Sequence, residues 1–204
     1  REALAVELPI SVLFNAPTLG ELAQAAQIQL RQAAGVGLPS LTVQARPERL
    51  PLSFAQERLW FLEQLGLVGG AYNMPFSLRL EGGLDLAALE AALGELVRRH
   101  ESLRTRFEVF EGAPIQVIDP AEGFELSRID LSQLDAAERQ AEADRLRRHQ
   151  AERPFQLSRE IPLRAALLTL GPDEHLLLLT LHHIASDGWS MNVLSRELGA
   201  LYEA

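Results

Sequence analysis

The sequence contains no cysteine and no lysine among its 204 residues. The absence of cysteine excludes disulfides, thiolate metal sites and a cysteine nucleophile. Without lysine there is no phosphate-binding loop of the G-x-x-x-x-G-K-S/T type. No run approaches the roughly 20 apolar residues that a membrane-spanning helix needs, and no basic segment followed by an apolar run marks a secretory signal. We therefore expect a cytoplasmic protein without a membrane partner.

The charge balance is acidic, with a net charge of −9, and all 19 basic residues are arginine. Because no basic stripe is present, nucleic acid is a poor candidate partner. The hydrophobic fraction of 47% and the charged fraction of 23% are ordinary for a globular protein. The chain starts without Met and stops inside a helical pattern, Ser190 to Ala204. We therefore expect a piece of a longer protein.

Three segments of the chain differ in composition. Residues 1–32 hold an apolar run that Pro17 interrupts, and Thr18 with Glu21 forms a capping box that predicts a helix from Leu19 to Gln32. Residues 33–51 are rich in Gly, Pro and small side chains, which is typical of a linker between domains. Residues 52–204 form the large unit.

The large unit mixes helical and strand patterns. Caps at Ser53 and Asp85 begin two predicted helices, the polar and charged run from Asp135 to Glu152 predicts a solvated third, and apolar residues from Val193 to Leu201 predict a fourth. Alternating or continuous apolar runs predict strands at 74–80, 104–110, 114–118, 124–129, 163–170 and 175–181. The last two are typical of a hairpin around Gly171-Pro172-Asp173. The pattern predicts an α+β layered domain.

Two adjacent histidines follow the most apolar of these strands. The run from Leu181 to Ser190 reads L-H-H-I-A-S-D-G-W-S, with a turn signal at Asp187-Gly188 before the last helix. Adjacent strand residues point to opposite faces. We therefore expect one histidine to be held in the core and the other to face an open channel, where an imidazole is a ready base or hydrogen-bond acceptor.

Other chemistries fit this sequence poorly. Ser186 and Ser190 do not lie in a G-x-S-x-G elbow, and adjacent histidines without a third ligand at suitable spacing make a poor zinc site. The arginines between Arg145 and Arg153 are interleaved with acidic residues, which favours a solvated helix face over a docking patch for acidic carrier domains.

The histidine run resembles the HHxxxDG motif of condensation domains from non-ribosomal peptide synthetases. Two further stretches support this resemblance: S-F-A-Q-E-R-L-W-F-L from Ser53 to Leu62 is similar to the family's first core motif, and R-H-E-S-L-R-T-R-F from Arg99 to Phe107 is similar to its second. The resemblance covers Leu50 to Ala204. Residues 1–32 resemble the C-terminal helices of a peptidyl carrier domain, without the modified serine of its G-G-x-S sequence.

The resemblance implies the chloramphenicol-acetyltransferase-like fold, of which this chain would be the N-terminal lobe, preceded by a short all-α carrier fragment. In the family, two such lobes enclose a tunnel, and the second lobe is missing here. The implied reaction joins an upstream carrier-bound thioester to the amine of a downstream aminoacyl thioester. Both substrates ride on 4'-phosphopantetheine arms, so the lobe itself needs no cofactor and no metal. The implied partners are donor and acceptor carrier domains, an adjacent adenylation domain and the second lobe.

The resemblance also assigns roles. His183 matches the central histidine, as a base or as a group that positions the amine, and backbone N–H groups near Gly188 would stabilise an oxyanion at a helix start. We expect Gly188 to allow a positive φ or close approach of substrate. His182 would be structural. Asp187 would form a buried ion pair; its candidate partners are Arg99 and, second, Arg104. Trp189 is expected to pack at the helix start.

Among subtypes, the intact histidine pair and the carrier-like tail favour an elongation domain with an L-configured donor and acceptor. Two other functions stay open at this point. One is an acyltransferase outside peptide synthesis that shares the HHxxxDG motif. The other is a non-catalytic module that docks carrier domains, for which replacement of His183 by alanine would leave product formation unchanged.

Overall fold

A computed structural model describes residues 12, 15–16, 18–33, 42–43, 45–66 and 68–204. The chain divides into two units, residues 1–45 and 46–204. In the first unit, helix α1 spans Leu19–Ala33. The carboxylate of Glu21 accepts hydrogen bonds from the Thr18 amide at 3.0 Å and from the Thr18 hydroxyl at 2.7 Å. The predicted capping box is confirmed, and α1 ends one residue beyond the predicted Gln32. Most of the apolar run before Pro17 lies outside the described residues, and so do residues 34–41 of the predicted linker.

The second unit alternates strands and helices along the sequence. The elements are β1 (Leu50–Pro51), α2 (Phe54–Gln64), β2 (Asn73–Glu81), α3 (Leu86–Arg99), a short 3-10 helix (Glu101–Arg104), β3 (Thr105–Phe110), β4 (Ala113–Ile118), β5 (Ser127–Asp130), α4 (Ala136–Glu152), β6 (Leu163–Gly171), β7 (Glu174–His182) and α5 (Gly188–Tyr202). Each predicted helix and strand is confirmed to within a few residues. The sequence patterns predict neither the 3-10 helix nor β1, which lies inside the segment 33–51.

The strands form two sheets. The larger sheet has the order β2-β7-β6-β5, in which only the β5–β6 pair is parallel. The smaller sheet is antiparallel with the order β1-β4-β3. Its β3–β4 turn places Glu111 and Gly112 at φ values of 50° and 83°, because a tight two-residue hairpin requires positive φ at both central positions. Mixed sheets with helices between the strands confirm the predicted α+β class.

The central strands β6 and β7 are covered on both faces, which explains their continuous apolar sequence. Odd-numbered residues of β7, from Leu177 to Leu181, pack in a core with α3 and α5. On the opposite face, Leu178 packs with Ala166, Leu168 and Ala143 of α4. A third cluster, which contains Trp60 of α2, Phe107 of β3 and Ile184, lies at the end of β7. The histidine pair is therefore located where the central strand β7 meets this third cluster.

Side-chain caps stabilise the starts of three helices, and those at Ser53 and Asp85 were predicted from the sequence. Ser53 and Gln56 form a capping box at α2, the Asp85 carboxylate accepts a hydrogen bond from the Ala88 amide at α3, and the Asp135 carboxylate accepts two amides at α4. Such caps each contribute about 1 kcal/mol to helix stability. They set the register of helices whose apolar faces then pack on the sheet.

Candidate active site at the end of strand β7

The two histidines at the end of β7 face different surroundings. His182 is completely buried, with 0% of its surface exposed, whereas His183 is exposed. Backbone hydrogen bonds hold both residues: the His182 amide donates to the Pro162 carbonyl at 3.0 Å, and the His183 amide donates to the Tyr72 carbonyl at 2.9 Å. The strand alternation thus places one ring inside and one outside, as the sequence predicted.

His182 is bonded at both ring nitrogens. Its Nδ1 accepts a hydrogen bond from the Ile184 amide at 3.1 Å, and an amide N–H can only donate. The ring proton therefore lies on Nε2, which donates to Oε1 of Glu63 at 3.0 Å. The ring also meets Phe155 edge-on, with 5.6 Å between centroids. Burial, with smaller contributions from His183 and Arg164, lowers the pKa of His182 to about 4, so the imidazole is neutral at physiological pH.

The free energy of unfolding is expected to fall as the pH is lowered from 7 to 4, in part through His182. In the unfolded chain a histidine has a pKa of about 6.5, whereas in the folded domain the pKa of His182 is about 4. Between these values the unfolded state binds a proton that the folded state does not bind, so stability is lost as the pH falls through this window. Burial raises the pKa of Glu63, which acts in the opposite direction.

Urea denaturation of the wild type and of His182→Gln between pH 4 and 7 isolates this contribution. A glutamine can accept from the Ile184 amide and donate to Glu63, but it does not titrate. We expect a steeper dependence on pH in the wild type. Identical slopes for the two proteins would show that His182 titrates alike in the folded and unfolded states.

Among the residues that the structure describes, one ring nitrogen of the exposed His183 has no hydrogen-bond partner. Its Nδ1 lies 2.8 Å from the Ser186 carbonyl oxygen, and a carbonyl only accepts hydrogen bonds. Nδ1 therefore carries a proton, and in the neutral ring the lone pair is on Nε2. An exposed imidazole with a fixed tautomer can accept a proton or a hydrogen bond from a bound substrate.

Asp187 is not the buried ion-pair partner that the resemblance implied. It is exposed and caps α5, where Oδ1 accepts hydrogen bonds from the Ser190 amide at 2.8 Å and the Ser190 hydroxyl at 2.6 Å. The hydroxyl is the main cause of the lowered pKa of Asp187. The sequence carries this signal as D-x-x-S at a helix start, whereas the family resemblance implies a partner much earlier in the chain, Arg99 or Arg104.

Neither candidate arginine reaches Asp187. Arg99 Nε donates to Glu95 one turn earlier on α3 at 2.7 Å, and its side chain is about half exposed. Arg104 is largely buried and donates to the Asp119 carbonyl, with Glu101 at 3.6 Å. The predicted Asp187–arginine pair is therefore wrong for the described residues of this lobe, because Arg99 pairs with Glu95 and Arg104 donates to the Asp119 carbonyl, both much nearer in sequence than Asp187.

Gly188 occupies the first position of α5 without a positive φ, so that part of the expectation is wrong. A Cβ built on Gly188 would meet no atom within 4 Å, which leaves the space above it open to a substrate. The Asp187 carboxylate already accepts a hydrogen bond from the Ser190 amide in the first turn of α5. In the part of the chain that the structure describes, no hydrogen bond ends on the Gly188 amide, so this N–H is the candidate donor to an oxyanion.

Trp189 does not pack into the domain, contrary to expectation: its surface is 76% exposed. The indole borders a pocket of about 160 Å³ between the start of α5 and the second sequence motif, which His100 and Leu103 also line. Ser186, whose carbonyl binds His183, borders the same pocket. Trp189 is thus placed to contact a molecule beside the histidine loop.

The described residues bring no three histidine, aspartate or glutamate side chains together as a metal site would require. No described helix combines the length and apolar character needed to cross a bilayer. Two arginines of α4 pair with acidic residues on their own helix, Arg145 with Glu142 and Arg147 with Asp144, and the exposed Arg148 donates to the Asp144 carbonyl. This confirms the prediction of a solvated face.

Glu63 is the site residue that sequence reasoning missed. It lies on α2 in register with Gln56, Leu59 and the buried Trp60, at the helical spacing of one face. An acidic residue on an apolar helix face usually has a specific partner. The position of Glu63 on this helix face therefore indicates that it has a partner. The sequence does not show that the partner is His182, which lies 119 positions away.

Comparison with known proteins assigns the class. The family model described as "Condensation domain" matches residues 46–204, which is most of the chain and contains the whole second unit. The chain therefore belongs to the condensation-domain family. Its relatives include the dimodular nonribosomal peptide synthase of Bacillus subtilis, which is 44% identical over 206 residues, covering 100% of this chain and 8% of that protein. Malpinin synthetase of Mortierella alpina is 40% identical over 201 residues, covering 98% of this chain and 3% of that protein.

Solved structures support the same family assignment. The complex of the X-domain and OxyB from teicoplanin biosynthesis matches with a TM-score of 0.69 and 38% identity, over 82% of this chain and 35% of that chain. The first condensation domain of the calcium-dependent antibiotic synthetase, in complex with a substrate analogue, matches with a TM-score of 0.61 and 34% identity, over 74% and 36%. The chain thus spans about a third of these structures and a small part of the synthetases.

Proposed function

We propose that this chain contains the N-terminal lobe of a condensation domain that forms amide bonds in a nonribosomal peptide synthetase. The donor would be an aminoacyl or peptidyl thioester on an upstream carrier domain, and the acceptor an aminoacyl thioester on a downstream carrier. One observation carries this proposal: His183 is exposed at the end of β7, and its Nδ1–H···O=C bond to Ser186 leaves Nε2 free to accept a proton.

The proposed reaction needs little besides alignment and one proton transfer. The acceptor amine attacks the donor thioester carbonyl, a C–N bond forms, and the C–S bond breaks. The amine loses one proton and the departing thiolate gains one. His183 Nε2 either carries this proton or accepts a hydrogen bond that orients the amine. Alignment of two tethered ends can itself contribute several kcal/mol to lowering the barrier, up to roughly 7–11.

The tetrahedral intermediate would carry an oxyanion beside the start of α5. The amide of Gly188 is the available donor, and the open space over this glycine admits the reacting group. The Asp187 carboxylate next to it is unfavourable for a second negative charge, so the helix N-terminus contributes less here than an uncapped one would. We therefore propose that His183 and alignment of the substrates carry most of the chemical role.

The proposed context is modular. Residues 1–32 would be the C-terminal helices of an upstream carrier domain without its modified serine, residues 33–51 the linker, and residues 52–204 the lobe. The donor and acceptor carriers with their phosphopantetheine arms, a neighbouring adenylation domain and the second lobe would be the partners. The L-donor, L-acceptor subtype follows from the intact histidines and the carrier-like tail. The lobe taken by itself is expected to bind without turnover, because the tunnel of the proposed condensation domain is formed by two lobes.

The test uses the synthetase with both lobes and both carriers. We would load the donor and acceptor carriers and follow dipeptidyl thioester on the downstream carrier by intact-protein mass spectrometry. Product that requires both loaded carriers would support amide-bond formation. An acceptor carrier loaded with the corresponding hydroxy acid tests the alternative acyltransferase: ester formed faster than amide would favour it. No product from a folded, fully loaded protein would favour a docking module.

A further inference from the structure

We propose that Glu63 is a positioning residue for His183 and acts through His182. The carboxylate would hold the buried ring of His182 in one tautomer and one orientation, and that ring would hold the loop whose carbonyl fixes the tautomer of His183. This role rests on the proposed function of His183, and it assigns a task to helix α2, which carries the first sequence motif and ends one residue after Glu63.

The first step is the bond between Glu63 and His182. The Glu63 side chain is about 10% exposed and His182 is fully buried. Among the described residues, the Nε2–H of His182 is the polar partner found for this carboxylate, at 3.0 Å, and burial raises its pKa. A buried carboxylate without an arginine partner is unfavourable on its own, so the residue is better explained by the bond it makes than by a contribution to stability.

The second step is the bond from His182 to the loop. Because Ile184 presents a fixed N–H to Nδ1 at 3.1 Å, the ring can satisfy both neighbours only if Nε2 is protonated and meets an acceptor. The carbonyl of His182 accepts two further bonds, from the Ala185 amide at 3.0 Å and from the Ser186 hydroxyl at 3.2 Å. Three successive loop residues are thus tied to His182.

The third step returns to His183. The Ser186 carbonyl accepts the Nδ1–H of His183 at 2.8 Å, and this bond leaves Nε2 with its lone pair. If the His182 ring loses its acceptor, its buried Nε2–H is left without a partner, and the alternative tautomer would place two N–H groups against each other at Ile184. On the proposed role, a ring that turns toward another acceptor gives up its bond to the Ile184 amide, and the loop moves together with the Ser186 carbonyl. His183 would then lose the bond that selects its reactive tautomer.

Three variants of the complete condensation domain test this chain of contacts. Glu63→Gln keeps an acceptor of the same length, Glu63→Asp keeps the charge but shortens the reach, and Glu63→Met keeps the length without an acceptor. Proton–nitrogen correlation spectra of the ¹⁵N-labelled histidines report which ring nitrogen carries the proton, with His183 assigned by the loss of its signals in His183→Ala. This measurement needs no substrate.

We expect the wild type and Glu63→Gln to show His183 protonated at Nδ1. In Glu63→Met and Glu63→Asp the tautomer ratio of His183 should shift by about tenfold, the effect of one lost hydrogen bond of ordinary net strength. Amide formation should slow in the same two variants and not in Glu63→Gln. Unchanged tautomers in Glu63→Met, even with a lower melting temperature, would overturn the proposal, and so would a Glu63→Gln variant as impaired as Glu63→Met.

The result is separable from the proposed function. If the wild-type domain forms no amide but the tautomers shift as described, the positioning role of Glu63 is supported and the assigned reaction is not. If the domain forms amide and the tautomers do not respond, the reaction is supported and the role of Glu63 is overturned.

Discussion

Replacement of His183 by alanine in a complete condensation domain is expected to slow amide formation by roughly 10²–10⁴-fold, the usual contribution of a positioned proton acceptor. The free energy of unfolding should change by only about 1 kcal/mol, the ordinary net contribution of the one hydrogen bond that is lost. The difference follows from exposure: His183 faces outward, and its ring donates a hydrogen bond to the carbonyl of the buried Ser186. Single-turnover formation of dipeptidyl thioester and urea denaturation measure the two quantities.

His149 provides the matched control. It is an exposed histidine on α4, distant in sequence from the motif, and His149→Ala should leave both the rate and the stability unchanged. If His183→Ala forms product as fast as His149→Ala, the imidazole has no role in proton transfer or in orienting the amine. Catalysis would then depend on alignment of the two tethered substrates alone.

The substitution Leu179→Ala is expected to lower the free energy of unfolding by about 2–5 kcal/mol, the range for removing a buried leucine side chain from a core. Leu179 is 1% exposed and lies in the middle of β7, opposite Phe76 of β2 and Ala165 of β6. Its side chain contributes to the core beneath α3 and α5. The substitution leaves a cavity at this position. Because backbone hydrogen bonds hold β2 and β6 in place on either side of β7, the cavity should collapse only in part.

Leu65→Ala removes the same atoms from a leucine that is 47% exposed at the end of α2. We expect a loss of less than about 1 kcal/mol, because little apolar surface leaves water there. Urea denaturation followed by the fluorescence of the buried Trp60 compares the two variants. Equal losses would mean that the region around β7 is not the stabilising core of the domain.

The fold was largely predictable because its elements carry strong local signals. The apolar runs of β6 and β7 predict strands covered on both faces, and the polar caps predict where the helices begin. The alternation of adjacent strand residues predicts that His182 and His183 face opposite sides. These inferences hold because backbone geometry and burial act over a few residues.

The site was less predictable, because its partners depend on distance in space. The family resemblance pairs Asp187 with a distant arginine, but the Asp187 carboxylate accepts a hydrogen bond from Ser190, three residues away. Arg99 likewise donates to Glu95, one helical turn away. For these charges the local partner is the correct one. For Glu63 the opposite holds, because its partner lies in another element of the fold. Side-chain pairing over such separations follows only from the packed structure.

Strand β2 lies at the edge of the larger sheet and pairs on one side with β7. An edge strand exposes a row of backbone donors and acceptors on which another chain could add. In β2, Pro75 has no N–H to offer, and Arg79 and Glu81 place charge on the exposed positions of the strand. Proline and charge at an edge both discourage aggregation through strand addition. The substitution of Pro75 and Arg79 by β-branched residues would therefore create an aggregation-prone edge strand without altering the core.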